Sequence, residues 1–149
     1  MKKIEKLLEV VTVILMAALV LIITLQIVSR MMNSPFIWTE ELSRFALVYV
    51  TFLGAALAYY KGRDLRITML IDRFPPSWRK INDTIIQIVN LILTAVLIYS
   101  SYHFAVEVWD TPLSALRWDK GLMLIVVPIG FALILIRQFR DLTKAILQN

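Results

Sequence analysis

Four runs of residues without a charged side chain divide this chain. They cover residues 10–29, 45–60, 84–106 and 121–136. A helix needs about 20 mostly apolar residues to cross the hydrocarbon core of a bilayer. The first and third runs reach that length, and Lys or Arg residues, whose stems can extend to the interface, flank the shorter second and fourth. The pattern predicts an all-α integral membrane protein, a single membrane domain of residues 1–149 with four transmembrane helices.

A soluble four-helix bundle is the alternative to this interpretation. Each of its helices would carry one apolar stripe and polar residues on the other faces. Residues 10–25 contain only two hydroxyl side chains and no charge, so they leave no face for water. Composition agrees with the membrane interpretation, because 59% of the residues are hydrophobic, against roughly 45–50% in soluble domains.

Two further stretches combine apolar residues at helical spacing with charged ones, a pattern typical of a helix lying in the membrane surface. One is residues 1–9, with Ile4, Leu7 and Leu8 on one face. It is either a short surface helix or the start of the first span. The other is residues 65–74, which end at two prolines that disfavour further helix. We predict an in-plane amphipathic helix there, with an ordered loop as the alternative.

Small and polar residues inside two of the spans indicate faces where helices pack. Small residues four positions apart let helices approach closely, and polar residues within a span usually face protein. We expect these faces to meet another helix of this chain or of a partner: Thr51 with Ala55 and Gly54 with Ala58 in the second span, and Gln87, Asn90 and Thr94 in the third.

The distribution of positive charge predicts the orientation of the chain. Its net charge is +5. The two termini and the middle loop carry most of the Lys and Arg residues, and the other two loops carry two each. Because positively charged loops stay in the cytoplasm, we expect both termini and the middle loop on the cytoplasmic side. The positive net charge is then explained by the orientation of the chain in the membrane, and no nucleic-acid partner is expected.

Few residues are suited to chemistry. There is no cysteine, and the one histidine is His103, near the end of the third span. Haem held between helices would usually need two histidines or a His/Met pair. The four runs contain no ionisable acid or base of the kind that transport usually needs at the membrane midplane. We therefore expect no enzyme activity, cofactor or metal site, and a subunit poorly equipped to transport by itself.

Residues 30–44 form the most unusual stretch, with two acids and two arginines between two apolar runs. Glu40 and Arg44 are four residues apart with the acid first, the favourable order for a helical ion pair. Glu40 and Glu41 lie in the first turn of the second helix, where the helix dipole favours acids. The cluster is either a self-contained helix start or a contact with another protein through Arg30, Glu41 or Arg44.

The chain resembles the small membrane subunit (Q, or DctQ-type) of tripartite ATP-independent periplasmic (TRAP) transporters. The resemblance covers essentially the whole chain. It rests on Gln26-x-x-x-Arg30, Trp38-Thr39-Glu40-Glu41-x-x-Arg44, Gly54-Ala55-Ala56, Pro75-Pro76, and the segment from Trp118 to Pro128-Ile129-Gly130-Phe131. The sequence departs from the family at Asp64, where His is usual, and at Thr68, where Asp is usual.

The resemblance implies a function that needs partners in the bacterial inner membrane. It implies a large membrane subunit (M type) that holds the substrate and sodium sites. It also implies a periplasmic binding protein (P type) that delivers an organic anion, of the sialic acid or C4-dicarboxylate type. The small subunit would be a non-catalytic scaffold contacting partner and lipid. The candidate interface or structural residues are Arg30, Trp38, Glu40, Glu41, Arg44, Gly54, Ala58, Gln87, Asn90 and Thr94.

Two other functions remain as alternatives. A self-sufficient four-helix transporter would be expected to carry an acid at the midplane of its first helix, which residues 10–29 lack. A membrane-anchor subunit of a redox enzyme would show haem absorption when purified. The sequence does not identify the substrate, because the residues that select it would lie in other chains.

Overall fold

The computed structural model describes residues 2–62 and 76–147, and this part of the chain forms five helices. They are α1 (Lys2–Met31), α2 (Ile37–Tyr60), α3 (Pro76–Glu107), α4 (Lys120–Leu124) and α5 (Val126–Leu147). The described residues contain no strand, only one isolated pairing between Pro112 and Asp119. The predicted in-plane helix at 65–74, together with Asp64 and Thr68, lies outside the described residues.

Four stretches of the described helices are long and apolar enough to cross a membrane, which confirms the predicted number of spans. They are Lys3–Met31, Ile37–Tyr60, Ile85–Glu107 and Lys120–Thr143. The first, second and fourth are longer than the uncharged runs from which they were predicted, because those helices continue into charged residues at one or both ends, whereas the third has the same length as its run.

The beginning of α1 is a direct continuation of the first span. The helix runs without interruption for 30 residues from Lys2, about 45 Å at 1.5 Å per residue. That exceeds the roughly 30 Å of a hydrocarbon core. Residues 2–9 are therefore the end of the spanning helix, and the alternative of a separate surface helix is wrong.

The helices pack in the order α1, α2, α5, α3, so that α2 and α5 are central. Burial along α1 recurs every seven residues at Leu8, Leu15, Ile22 and Ser29, of which the first and last are buried and the middle two partly buried, and Leu19 is buried between them. Such spacing is typical of helices that cross at a small angle. Most other side chains of α1 are exposed.

The fourth span is interrupted close to its start. Ile125 separates α4 from α5, three residues before Pro128. Proline has no N–H group, so the carbonyl of Leu124 lacks its usual donor four residues on. The fourth span is therefore irregular at a position slightly ahead of the proline.

The connection from α1 to α2 is short and defined by backbone hydrogen bonds. The N–H of Asn33 donates to the carbonyl of Arg30 and that of Ser34 to Ser29, both at 3.1 Å. Asn33 has φ +54°. This is a Schellman ending, with asparagine in the left-handed position. Pro35 follows and prevents continuation of the helix.

Candidate functional site

The structure separates the two acids at the start of α2. Arg44 forms an ion pair with Glu40 at 2.5 Å, and both side chains are largely exposed. The predicted pair is therefore present, but exposed pairs contribute only about 0–1 kcal/mol to stability. Glu41, one residue later, points to a different partner.

Glu41 binds the backbone of the loop between α3 and α4, which we call the α3–α4 loop (residues 108–119). The N–H of Leu116 donates to Oε2 at 2.8 Å, and the N–H of Ala115 lies 3.0 Å from both carboxylate oxygens. Hydrogen bonds to an ionised carboxylate are stronger than those between neutral groups. One acid thus ties together segments that are more than 70 residues apart in the chain.

The α3–α4 loop has a compact backbone that presents these amides. The N–H of Leu113 donates to the carbonyl of Trp118 at 2.7 Å, and the N–H of Lys120 donates to Thr111 at 2.9 Å. Arg117 has φ +55°, a left-handed conformation that is uncommon outside glycine. The loop folds back on itself at this residue and directs the amides of Ala115 and Leu116 towards Glu41.

Three further residues of α2 continue the contact that Glu41 begins. Phe45 meets Trp118 edge to face, with ring centroids 5.8 Å apart, and stacks on Tyr49 at 4.9 Å. The hydroxyl of Tyr49 donates to the carbonyl of Leu122 at 2.8 Å. The last contact is between Phe52 and Phe131, whose ring centroids are 5.6 Å apart.

These four residues of α2 lie on one side of the helix, because residues four apart are neighbours on a helical surface. We call them the anchor face: Glu41, Phe45, Tyr49 and Phe52. The anchor face holds the α3–α4 loop, α4 and the start of α5 against α2. It combines a charge-assisted hydrogen bond, two aromatic contacts between segments and one hydroxyl donor.

Two glycines permit the close packing beside the anchor face. A Cβ on Gly121 would lie 2.8 Å from Cδ2 of Trp109, and one on Gly130 would lie 3.1 Å from Cβ and the carbonyl oxygen of Phe52. Gly54 is different, because its added Cβ would make ordinary contact with Thr12 at 3.8 Å. Gly54 therefore faces α1, as the small-residue pattern predicts, but without requiring glycine.

The remaining predicted residues are spread over the molecule. Trp38 is exposed, with its ring 6.0 Å from that of Phe36. Ala58 is also exposed. In the polar row of α3, Thr94 is buried and donates to the carbonyl of Asn90 at 2.7 Å. Asn90 itself is exposed and Gln87 is partly buried. The row therefore does not form one buried interface within this chain.

Arg30 has no partner within the part of the chain that the structure describes. Its side chain is exposed at the end of α1. Among residues 2–62 and 76–147 its side chain makes no hydrogen bond or ion pair, unlike those of Glu40, Glu41 and Arg44. Within residues 30–44, Glu40, Glu41 and Arg44 therefore have partners inside the chain, as a self-contained helix start requires. Arg30 is the one charged side chain of this stretch without a partner among the described residues.

At the opposite end of the spans, an ion pair joins α1 and α2. Lys61 forms an ion pair with Glu9 at 2.7 Å. Tyr60 beside it is buried. The pair places the end of α2 level with Glu9, so the residues of α1 before Glu9 extend beyond α2.

Sequence reasoning did not identify Phe45, Tyr49 or Phe52. Their spacing is visible in the sequence, but aromatic residues in an apolar helix give no indication of which segment they contact. Among the described residues, no group of three His, Cys, Asp or Glu side chains is arranged to hold a metal ion.

Comparison with known proteins places this arrangement in a family. Residues 19–148 match the family described as tripartite ATP-independent periplasmic transporters, DctQ component. The chain is 30% identical over 135 residues to the sialic acid TRAP transporter small permease protein SiaQ of Vibrio cholerae. That match covers 90% of this chain and 78% of the relative.

Two other relatives are much longer than this chain. It is 26% identical over 136 residues to the isethionate TRAP transporter permease protein DctMQ of Oleidesulfovibrio alaskensis, covering 85% of this chain and 21% of that protein. It is 35% identical over 111 residues to the sialic acid TRAP transporter permease protein SiaT of Haemophilus influenzae, covering 74% and 17%. Because the family match extends over most of its length, the chain belongs to the DctQ component family of TRAP transporters, a family of transporter components and not of enzymes.

Proposed function

We propose that this chain is the non-catalytic small subunit of a sodium-coupled TRAP transporter that imports an organic anion. The observation that carries the proposal is the family match over residues 19–148. Two relatives in which this region makes up about a fifth of a longer permease support a large membrane subunit as its partner. The family resemblance adds a periplasmic binding protein that delivers the substrate.

The structure supports a scaffold role within such an assembly. The four uncharged runs contain no Asp, Glu, Lys or Arg to bind an ion or substrate at the midplane, and their one histidine, His103, lies near the end of the third. The interactions that the chain does contain, from Glu41 to Phe52, join its own segments and restrain their relative movement. A subunit built in this way is suited to bracing a partner that moves.

The support for a substrate class comes from the relatives and from the family resemblance. Those named above carry the names of sialic acid and isethionate, both of which are organic anions. We propose a carboxylate substrate of the sialic acid or C4-dicarboxylate type. The substrate and sodium sites would lie in the large subunit.

The positive charge of the termini and the middle loop supports an orientation in the bacterial inner membrane with both termini in the cytoplasm. The α1–α2 turn (residues 32–36) and the α3–α4 loop would then face the periplasm. Labelling of single cysteines introduced at Ser34 and at Lys3 with an impermeant maleimide tests this orientation. In intact spheroplasts, only the first should react.

Reconstitution tests the scaffold role. Vesicles containing this chain, its co-expressed large subunit and the binding protein should accumulate labelled sialic acid or succinate when a sodium gradient is imposed. Vesicles with this chain alone should accumulate neither. Uptake driven by sodium without the large subunit would contradict the scaffold role and favour a self-sufficient transporter. Failure of the large subunit to co-purify would contradict the partnership.

A further inference from the structure

The connection between α1 and α2 carries five large apolar side chains that are exposed and close together in the sequence. We call them the turn cluster: Met31, Met32, Phe36, Ile37 and Trp38. Their exposed fractions are 79%, 74%, 45%, 73% and 39%. Contiguous exposed apolar groups of this kind mark contacts with a membrane or another protein. The charged residues closest in sequence are Arg30 on one side and Glu40 on the other.

The backbone that presents the turn cluster is firmly defined. The Schellman ending at Asn33 stops α1, and Pro35 follows. The fully buried Thr39 then donates twice to the carbonyl of Phe36, from its hydroxyl at 2.6 Å and from its N–H at 3.2 Å. The apolar side chains therefore project from a turn whose conformation is held by hydrogen bonds at both ends.

The height of the turn cluster can be measured from the other end of the spans. Glu9 and Lys61 form an ion pair, and because charged groups are costly inside hydrocarbon, we take one membrane interface to lie near them. From Glu9 to Met31 the helix rises about 33 Å, and from Lys61 to Ile37 about 36 Å. A tilt of about 20° is ordinary for such helices and shortens both distances slightly. With a hydrocarbon core of about 30 Å, the turn cluster lies at the opposite interface and not far out in water.

The composition of the turn suits that depth. Trp and other aromatic side chains are enriched at membrane interfaces, and Met is flexible enough to pack among lipid chains. Arg30 lies one position before the cluster, exposed and without a protein partner among the described residues. A guanidinium offers a planar set of donors that matches a phosphate. Apolar side chains and a phosphate-binding cation at one level are complementary to a phospholipid.

We propose that the α1–α2 turn is a lipid-binding surface. The turn cluster inserts into the adjacent leaflet, and Arg30 binds the phosphate of a phospholipid headgroup. Because the turn is conformationally restrained, insertion sets the depth of α1 and α2 in the membrane. Such a surface requires only the spanning helices, whichever substrate is transported and whichever leaflet the turn meets.

Site-directed spin labelling tests the insertion, because the chain contains no cysteine to remove. Single cysteines replace Met32 and Ile37, with Asp110 in the α3–α4 loop as an exposed control at the same end. The labelled protein is placed in vesicles of phosphatidylethanolamine and phosphatidylglycerol. Labels at 32 and 37 should collide more with oxygen than with a water-soluble nickel chelate, and the label at 110 should show the reverse.

Two results would overturn the insertion. Equal access of the nickel chelate to all three positions would place the turn in water. Labels at 32 and 37 that are shielded from both reagents only when the large subunit is present would assign the turn cluster to a protein interface.

Native mass spectrometry of the protein in mild detergent tests the role of Arg30. Arg30→Gln should retain at least one phospholipid fewer than the unmodified chain, and Arg30→Lys should restore part of the binding because it keeps the charge. Arg117→Gln is the matched control, since Arg117 is an exposed arginine of the α3–α4 loop. Equal lipid retention in Arg30→Gln and Arg117→Gln would overturn the assignment.

Discussion

The two connections at the same end of the four spans hold their conformations by different interactions. The α1–α2 turn is short, satisfies its own backbone and leaves its apolar side chains exposed. The α3–α4 loop is longer and attaches to α2 through Glu41, Phe45 and Tyr49. The first connection needs no other helix to hold its shape, whereas the second depends on the anchor face.

This difference changes the interpretation of the charges between residues 30 and 44. In the sequence they look like one cluster with one role. In the structure Glu41 supports the α3–α4 loop, Glu40 and Arg44 pair with each other, and Arg30 faces outward. Adjacent acids on a helix point in directions about 100° apart, so Glu40 and Glu41 meet different surroundings.

The largest expected effect is that of a methyl group at Gly121. The added Cβ of Gly121→Ala would overlap Trp109, including its backbone Cα at 2.9 Å, so the loop and α4 must separate. Overpacking of this kind costs about 1–3 kcal/mol. Thermal unfolding in detergent, followed by circular dichroism, measures the loss. Gly54→Ala is the matched control, and equal stability of the two variants would contradict the tight contact.

Loss of the Glu41 carboxylate should release the α3–α4 loop while leaving the α1–α2 turn unchanged. In Glu41→Ala the amides of Ala115 and Leu116 lose their acceptor. Hydrogen exchange measured by mass spectrometry should therefore accelerate in peptides covering residues 113–118, and not in those covering 30–36. Glu40→Ala is the control. Acceleration in both variants, or in neither, would show that Glu41 does not hold the loop.

A smaller effect is expected from Tyr49→Phe. The substitution keeps the stacking on Phe45 but removes the hydroxyl that donates to Leu122. A net loss of about 0.5–1.5 kcal/mol in the free energy of unfolding is expected for one hydrogen bond. Tyr102→Phe, at an exposed tyrosine of α3, should leave stability unchanged. Matching denaturation curves for the two variants would remove Tyr49 from the anchor face.

The smallest effect on stability should come from Arg44→Ala, because its pair with Glu40 is exposed. A change within about 1 kcal/mol is expected. We nevertheless expect less large subunit to co-purify with this variant, since Arg44 is free to exchange Glu40 for an acidic group on a partner. Arg140→Ala, an exposed arginine near the other end, is the control. Unchanged recovery of the partner would limit Arg44 to the start of α2.

Much of the fold could be predicted because membrane solvation acts locally on the sequence. A bilayer leaves backbone groups no water to bond, so long uncharged runs must form helices. That rule predicts four spans and their positions along the chain. The ion pair of Glu40 with Arg44 is also predictable because it is local: residues four apart on a helix are neighbours whatever the tertiary structure.

The anchor face could not be predicted in this way. The amides that Glu41 binds lie more than 70 residues along the chain, and any backbone N–H has the same chemistry whatever its side chain. Likewise, Phe45 and Tyr49 are apolar positions in an apolar helix, where periodicity does not distinguish a lipid-facing side from a packed one. Of the small residues in the second span, Gly54 lies beside Thr12 of α1, whereas Thr51, Ala55 and Ala58 are exposed.

The amino-acid sequence by itself determines that this chain has four spanning helices, a charged start to the second and the features of a DctQ component. The first two depend on the composition of single stretches of chain, and the third on short motifs spread along it. Only the tertiary structure decides that Glu41 is used internally while Arg30 is left exposed, and that one connection is anchored while the other presents apolar side chains. Those outcomes depend on which distant segments lie beside α2. The residue pattern within a single helix does not specify contacts with segments that are far away in the sequence.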